Sequence, residues 1–405
     1  MIPRKLFDKL LAHLEKKEFS ILTGARQTGK STLLRQIETH CSEHGIPVVF
    51  LNLENKSIVS VLNESPLNVL GYLPKINKRT IVLVDEVQYL DDPSNFLKLL
   101  YDEDVDKIKI VASGSSTFYL DSRFRDSLAG RKRIFQLFTC SFDEYLELSG
   151  KPELLREKNR LSENPNSKSS KIDYLRVEWE NYLLFGGYPA VITELNTDEK
   201  IARLSELRDS FLKRDILESG VSNDKAFYSL MRIMASQTGN LVNVNELATT
   251  LRIQNSTVSN YLDVMQKCFH IALIRPFFKN LRKELVKMPK VYFMDTGMRN
   301  CLLENFQSPN IRADKGEIWE NMVFRQLIEK YNSDSIYYWR TTSGQEVDFV
   351  LPGIANPKAL EAKFDKALIK KSKYRKFKET YPDIPLEYVW MAPFNEDFFR
   401  LGINC

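Results

Sequence analysis

Three groups of residues have the types and spacing that chemistry on phosphate esters requires. The first runs Gly24-Ala25-Arg26-Gln27-Thr28-Gly29-Lys30-Ser31, followed by Thr32. It matches G-x-x-x-x-G-K-[ST], in which glycine-flanked backbone amides cradle phosphate, the lysine reaches the β- and γ-phosphates and the hydroxyl ligates Mg2+. The second is TIVLVDEVQ, an apolar run that ends in Asp85-Glu86. Asp85 suits a carboxylate acting on Mg2+, and Glu86 suits the base that orients an attacking water. Nearby, IVASGSS offers Ser113, Ser115 or Ser116 at a strand end as a sensor of the γ-phosphate. The segments NKSI and NKRT both lack the acid of a guanine-reading [NT]-K-x-D motif, so ATP is the expected nucleotide. Hydrolysis also calls for a positive charge on the transition state, often supplied by a neighbouring subunit. Arg131, after a glycine in DSLAGRKRI, is the first candidate, with Arg26 and Arg214 behind it.

The third group lies near the other end, in EVDFVL and ALEAKF. Strand alternation puts Glu346 and Asp348 on one face, and likewise Glu361 and Lys363. Paired as a hairpin, the two strands bring Asp348, Glu361 and Lys363 together. A metal-dependent phosphodiesterase needs that set: two carboxylates for Mg2+ and a lysine that orients water or offsets phosphate charge. Glu317 and Glu320, on a helix beginning at Gly316, are candidate supporting acids. The competing reading is that these are ordinary acid–lysine pairs across strands.

The elements that must position these groups follow from hydrophobic pattern. FSILTG, VVFLNLE, TIVLVDE, IKIVASGS and KRIFQLFT are short apolar runs separated by helical segments. That predicts a mostly parallel sheet covered on both faces, extending to about residue 145. Residues 149–172 are polar and free of aromatics, which predicts an exposed linker or insertion. A helical stretch over 173–236 is interrupted by FGGYP at 185–189, a tight turn. Residues 237–295 read as two short amphipathic helices split at RIQN, the second capped by Ser256, followed by a strand and a basic stretch. This is the pattern of a winged helix-turn-helix. Its second helix presents Ser256, Thr257, Ser259, Asn260 and Gln266. Its wing carries Lys279, Arg282, Lys283, Lys287 and Lys290, suited to DNA phosphates. Packing against neighbouring subunits is the other use of such an element. Residues 296–405 alternate helices and strands around the third group, and the basic segment KKSKYRKFK within them suits phosphate contact.

Composition narrows the classes. The chain has 405 residues, 43% hydrophobic and 27% charged, with a net charge of +5, compatible with nucleic acid without requiring it. No apolar run approaches the roughly 20 residues needed to cross a bilayer, so no membrane association is expected. The first 19 residues read as an amphipathic helix carrying Asp8 and Glu15 rather than a signal peptide, so a cytoplasmic location is expected. Five scattered cysteines and four histidines predict neither a zinc site nor a disulfide framework.

Taken in order, GARQTGKST, LVDEVQ, ASGSS, LAGR, FGGYP and FLKRDI resemble the AAA-type ATPases that carry a C-terminal domain known as DUF4143. The resemblance spans nearly the whole chain. It implies an α/β protein with a RecA/AAA-like P-loop core at 1–148, the linker, a helical lid at 173–236 and a winged helix at 237–295. It further implies, at 296–405, a region similar to the PD-(D/E)xK nucleases, which have a restriction-endonuclease-like fold. ATP and Mg2+ are the implied cofactors. Three functions compete: a DNA-directed ATP motor or switch in repair, recombination or defence; a signalling switch whose winged helix contacts proteins; and a defence nuclease gated by adenine nucleotide. The first is favoured, acting on duplex or branched DNA as a homo-oligomer such as a hexameric ring.

Overall fold

The computed structural model describes residues 4–75, 78–114, 128, 130–164, 166–278, 287–353 and 355–401. The chain divides into two compact units, one of Met1–Thr139 with Lys267–Phe269, the other of Cys140–Gln266 with His270–Cys405.

The first unit is built on five strands: β1 (Phe19–Thr23), β2 (Val48–Asn52), β3 (Thr80–Asp85), β4 (Ile108–Ser113) and β5 (Lys132–Gln136). They lie in the order β2-β3-β4-β1-β5, and every pairing is parallel. The near-continuous apolar runs have a direct cause, because both faces of the sheet are covered. Ile81, Leu83 and Val111 face α1 (Leu6–His13) and α2 (Lys30–Glu43), where they meet Leu10, Leu33, Leu34 and Ile37. Val82, Val84, Ile110 and Ala112 face the other way, onto Leu62 of α3 (Lys56–Glu64) and Phe96, Leu97 and Leu100 of α4 (Pro93–Asp104). The expected strands are thus all present. The amino-terminal helix is confined to eight residues among those described.

The second unit begins with α5 (Phe142–Leu148), opened by a reciprocal cap between Ser141 and Glu144. Within residues 149–172, read as an exposed linker or insertion, about half of the chain is helical. Pro152–Glu163 is a helix (α6) that buries Leu154 and Leu161, seven residues apart on one face. Lys158 within it pairs with Asp143 at 2.6 Å. The next helix, α7 (Ile172–Phe185), stops at Gly186, which has φ +73°. A Cβ there would fall 2.1 Å from Asp295 Oδ1, so only glycine fits. Asp295 also accepts the Gly187 amide at 2.8 Å and caps the helix Thr296–Leu303. FGGYP is therefore a crossing point clamped by a residue more than a hundred positions away.

Short and long helices follow: α8 (Pro189–Ile192), α9 (Thr197–Ser219) and α10 (Asp224–Ser236). Then α11 (Val244–Leu251) and α12 (Asn255–Lys267) flank a three-residue turn in which Arg252 has φ 56°. Ser256 lies inside α12 rather than capping it. Strands β6 (Ile271–Pro276) and β7 (Lys290–Phe293) pair antiparallel after the second helix. They do not stand alone. The parallel pairing of β6 with β8 (Tyr337–Arg340) joins them to β9 (Glu346–Leu351), β10 (Lys358–Asp365) and β11 (Leu386–Ala392). One six-stranded sheet results, ordered β11-β10-β9-β8-β6-β7, so the boundary expected at 295 falls inside a continuous structure. The helices Thr296–Leu303 (α13) and Lys315–Leu327 (α14) complete this part. The basic segment beyond β10 is only partly helical, as 3-10 turns at Lys366–Leu368 and Lys371–Tyr374 lead into α15 (Arg375–Thr380).

Candidate functional sites

In the first unit, strand β1 delivers the chain into the loop Gly24–Gly29, and α2 begins at Lys30. Gly24 has φ +151°, and a Cβ on it would lie 2.1 Å from the Leu137 carbonyl oxygen, so the loop is pressed against the exit of β5. Gly29 precedes α2 with no side-chain cap, which leaves the first-turn amides to the phosphate the motif implies. Thr28 is buried and donates to the Ala25 carbonyl at 2.9 Å, stiffening the loop. Lys30 is buried too, and its ammonium donates to Gly24 O at 3.0 Å and Ala25 O at 2.8 Å. Ser31 and Thr32 are exposed in the first turn of α2, while Arg26 is half-buried and Gln27 exposed with φ 56°.

Asp85 ends β3 and is buried. The Ser113 hydroxyl, at the end of β4, donates to Asp85 Oδ1 and accepts the Glu86 amide at 3.0 Å. Glu86 takes a left-handed conformation, φ 61°, and its carboxylate accepts from Gln88 Nε2. Because β1, β3 and β4 are parallel, the glycine loop, Asp85 and Ser113 all emerge at the carboxyl edge of the sheet, where open α/β sheets bind ligands. Of the three sensor candidates, Ser113 is the one joined to both acids, and Ser115 and Ser116 lie outside the described residues.

Of the candidate arginines, one lies at the sheet edge away from the phosphate loop of its own unit and another on an exposed helix face. Arg131 precedes β5 and its carbonyl accepts the Phe19 amide, so it sits at the amino edge of the sheet. There it makes a two-pronged pair with Asp102, at 2.7 and 3.3 Å. So placed, Arg131 does not reach the phosphate loop of its own unit, and a role for it on the transition state is one in a neighbouring subunit's site. Arg214 is exposed on α9. Arg4, which the spacing of motifs gave no reason to single out, donates to Thr28 O at 2.6 Å and Phe138 O at 2.8 Å.

In the second unit, the antiparallel register of β9 and β10 (Phe349 opposite Leu360) carries Asp348 to the level of Glu361. Asp348 Oδ2 accepts the Ala362 amide at 2.9 Å and lies 3.9 Å from Lys363 Nζ, and Lys363 also bonds Glu361. The structure thus brings together all three residues picked from EVDFVL and ALEAKF. It adds more. Lys290, read as part of a basic wing, is instead buried, with its ammonium 2.5 Å from Glu346, 3.1 Å from Glu320 and 3.7 Å from Asp348. Tyr292 donates to Glu320, and Tyr374 donates to Glu361 at 2.7 Å. Four carboxylates and two ammonium groups therefore share one cluster. It borders an open cleft of about 420 Å³ lined by Gly239, Asn240, Glu317, Glu320, Glu346 and Lys363.

The electrostatics follow from burial. Desolvation, reinforced by the Asp348 charge, pushes the Glu361 carboxyl up to about 8 and that of Glu320 up to about 7. Burial works against the charged form of Lys363, but Asp348 and Glu361 outweigh it and raise its pKa. Lys290 is raised in the same way by Glu320, Asp348 and Glu346. Fully ionised, the cluster carries two surplus negative charges. Glu361 Oε2, moreover, is buried without a hydrogen-bond partner. Among the described residues no three His, Cys, Asp or Glu side chains form a ready metal cage. Asp348 and Glu361, buried beside the cleft with Glu361 Oε2 unpartnered, nonetheless have the donor chemistry of a small divalent cation of the Mg2+ type, which completes its shell with water and substrate oxygens.

On the helix-turn-helix, Ser256, Ser259 and Asn260 are exposed and Thr257 is half-buried. Lys287 is exposed and, with Gln266 and Arg275, lines a second cleft of about 480 Å³. Lys279, Arg282 and Lys283 lie outside the described residues. Among the described residues no helix is long and apolar enough to cross a membrane.

A parallel sheet with a phosphate loop after β1 and an acid at the end of β3 defines a P-loop nucleotide-binding protein with an AAA-type ATPase-like fold. Comparison with known families agrees: residues 16–146 match the AAA domain family and residues 315–398 a domain of unknown function, DUF4143. The chain is an AAA-type protein with a C-terminal DUF4143 domain. Between them, residues 176–308 match a second domain of unknown function, DUF8612. An uncharacterized protein of Haemophilus influenzae is 25% identical over 367 residues, 86% of this chain and 84% of that one. One from Mycobacterium tuberculosis is 27% identical over 358 residues, 88% of this chain and 72% of its own length. Among solved structures, AMPPCP-bound DnaA from Aquifex aeolicus is 16% identical with a TM-score of 0.29, covering 65% of this chain and 87% of that one. A likeness at that TM-score carries no functional inference.

Proposed function

We propose that the protein is a Mg2+-dependent ATP hydrolase that acts on DNA, with a metal-dependent phosphodiesterase-type site in its DUF4143 region. The observation that carries the reading is the second-unit cluster. Asp348 and Glu361 meet Lys363 just beneath an open cleft that Lys363, Glu320 and Glu346 line, a set suited to phosphodiester chemistry within a chain that also has an ATPase-type core.

In the core, Lys30 reaches the β- and γ-phosphates, Ser31 and Asp85 hold the nucleotide's Mg2+, and Glu86 orients water. Ser113, bonded to both acids, links the state of the γ-phosphate to their positions. In the second unit Asp348 and Glu361 would hold a divalent cation that supplies Lewis-acid chemistry on a phosphate oxygen. Lys363 orients the attacking water from beside them. The helix-turn-helix with its strand pair serves as a winged helix on duplex DNA through Ser256, Thr257, Ser259, Asn260 and Lys287, joined by Lys279, Arg282 and Lys283. A trans arginine requires a neighbouring subunit, so a homo-oligomer is part of the proposal.

The test compares wild type with Lys30→Ala and Asp348→Asn on linear, forked and four-way DNA, measuring hydrolysis, binding and cleavage side by side. ATPase activity lost only in Lys30→Ala and cleavage lost only in Asp348→Asn support both assignments. Hydrolysis with no affinity for any DNA at low salt would replace the reading with a nucleotide switch that controls protein assembly.

A further inference from the structure

Lys366, Lys370, Lys371, Lys373, Arg375, Lys376 and Lys378 are all exposed. Over 365–379 these seven cations face only two acids, Asp365 and Glu379, so this short segment holds a net charge equal to the +5 of the whole chain. The remaining residues sum to neutrality. A merely solvated face would intersperse acids and gain from helical ion pairs. Here Arg375 with Glu379, highly exposed at 3.5 Å, is the one such pair among the described residues of the segment. Lys370, Lys371, Lys373 and Lys376 form none. Crowded like charges repel, and that repulsion is relieved when an extended polyanion binds.

The segment is also rigidly held and well placed. Tyr374 and Phe377 point inward, packing with Trp339, Val347 and Tyr381, which gives the exposed cations a fixed base, with Lys366 lying over the Trp390 ring at 4.3 Å. The Tyr374 hydroxyl reaches Glu361 at 2.7 Å, which puts the base of the strip against the carboxylate cluster. The cluster does not draw on these lysines for neutralisation, since Lys290 and Lys363 already serve it.

Resting on the reading above, we propose that the strip from Lys366 to Lys378 is a landing surface for a nucleic-acid phosphate backbone, which it lays beside Asp348, Glu361 and Lys363. Its own two aromatics are buried, and the neighbouring Trp390 ring is already faced by Lys366. Recognition is therefore by charge, indifferent to base sequence and steeply salt-dependent.

The test replaces Lys370, Lys371, Lys373 and Lys376 together by Gln in the full-length chain, and separately by Arg. Fluorescence anisotropy of a labelled duplex is followed across a potassium chloride series, with the thermal unfolding midpoint as the check on folding. Each phosphate that the protein no longer neutralises lowers the slope of log K against log salt by about 0.9, so the Gln variant, short of four cations, should lose up to about 3.6 from its slope and at least about tenfold in affinity. The Arg variant should bind as wild type does. A folded Gln variant with wild-type slope and affinity overturns the strip while leaving the DNA reading in place. A wild-type protein that binds no duplex at low salt overturns both. Equal loss in the Arg and Gln variants would mean that shape, not charge, is recognised, and would also reject the strip.

Discussion

Arg4 holds the carbonyl of Thr28 at 2.6 Å, one residue before the glycine that opens α2. Its second nitrogen holds Phe138 O at 2.8 Å, so one guanidinium ties the phosphate loop to the segment leaving β5. Removing a charged partner from such carbonyls costs about 1.5–3 kcal/mol. Arg4→Ala should therefore raise the KM for ATP roughly tenfold or more, with a smaller change in kcat. Arg4→Lys should recover part of the loss. Steady-state hydrolysis across ATP concentrations separates the two constants, and an unchanged KM would remove Arg4 from nucleotide binding.

Ser113 connects Asp85 and Glu86 without belonging to either motif. Ser113→Ala removes the donor to Asp85 and the acceptor for the Glu86 amide. The expected result is a loss of roughly tenfold or more in kcat with nucleotide affinity largely kept, since the phosphate loop is untouched. Titration with a fluorescent ATP analogue alongside turnover assays reads both quantities.

The raised carboxyls of Glu361 and Glu320 set a direction for stability against pH. Folded, they hold protons that the unfolded chain sheds above its ordinary value of 4.5. Protein without metal, kept in chelator, should lose stability as pH rises from about 4.5 toward about 8, by up to about 1.4 kcal/mol per pH unit for each extra proton retained. Glu361→Gln should flatten that fall. Melting points in chelator at successive pH values check the sign.

Lys290 is a buried ammonium among carboxylates. Lys290→Met leaves those acids without their central cation, and removal of one partner from such a cluster costs about 3–5 kcal/mol. Denaturant unfolding should show the loss, and Lys290→Arg should not restore it fully because the guanidinium is wider than the space an ammonium fills.

Gly186→Ala should be among the most damaging single changes, since the added methyl collides with Asp295 Oδ1 at 2.1 Å and φ stays positive. Expression as aggregate, or a melting point lowered by many degrees, is the expected outcome. Near-native melting would show that the crossing can relax.

The residues legible in the sequence were those whose function is written into local spacing. GARQTGKST encodes its strand–loop–helix context within a dozen positions, and Asp85 follows a run buried on both faces. Asp348, Glu361 and Lys363 were legible because a hairpin is close in sequence and alternation is strict. What escaped was long-range. Arg4 meets Thr28 across 24 positions, and nothing in its neighbours marks it. Lys290 looked like part of an exposed basic run, because local composition counts charges without knowing that the strand carrying it runs beneath Glu320 and Glu346. The helix at Pro152–Glu163 was hidden for a different reason: two leucines a heptad apart are diluted by charged neighbours, and only its packing made it a helix. Arg131 illustrates the converse: the glycine and strand beside it mark its place at the amino edge but not its ion pair with Asp102.

The pairing of β6 with β8 has a consequence for inheritance. Tyr337 and Tyr338 stand in register with Arg275 and Pro276, the Phe277 amide donates to Tyr338 O, and the Tyr338 hydroxyl reaches Met288 O at 2.6 Å. Residues 315–398, transplanted alone into another gene, would arrive with an unpaired strand edge prone to aggregation. They would also arrive with acids stripped of Lys290, the cation that offsets them. The segment ending near residue 308 and the one beginning at 315 match two separate families, yet they share one sheet, two strands from the first and four from the second, and one charge cluster. A breakpoint between them would leave both the strand edge and the acids uncovered, a physical cost that falls on any exchange of one without the other.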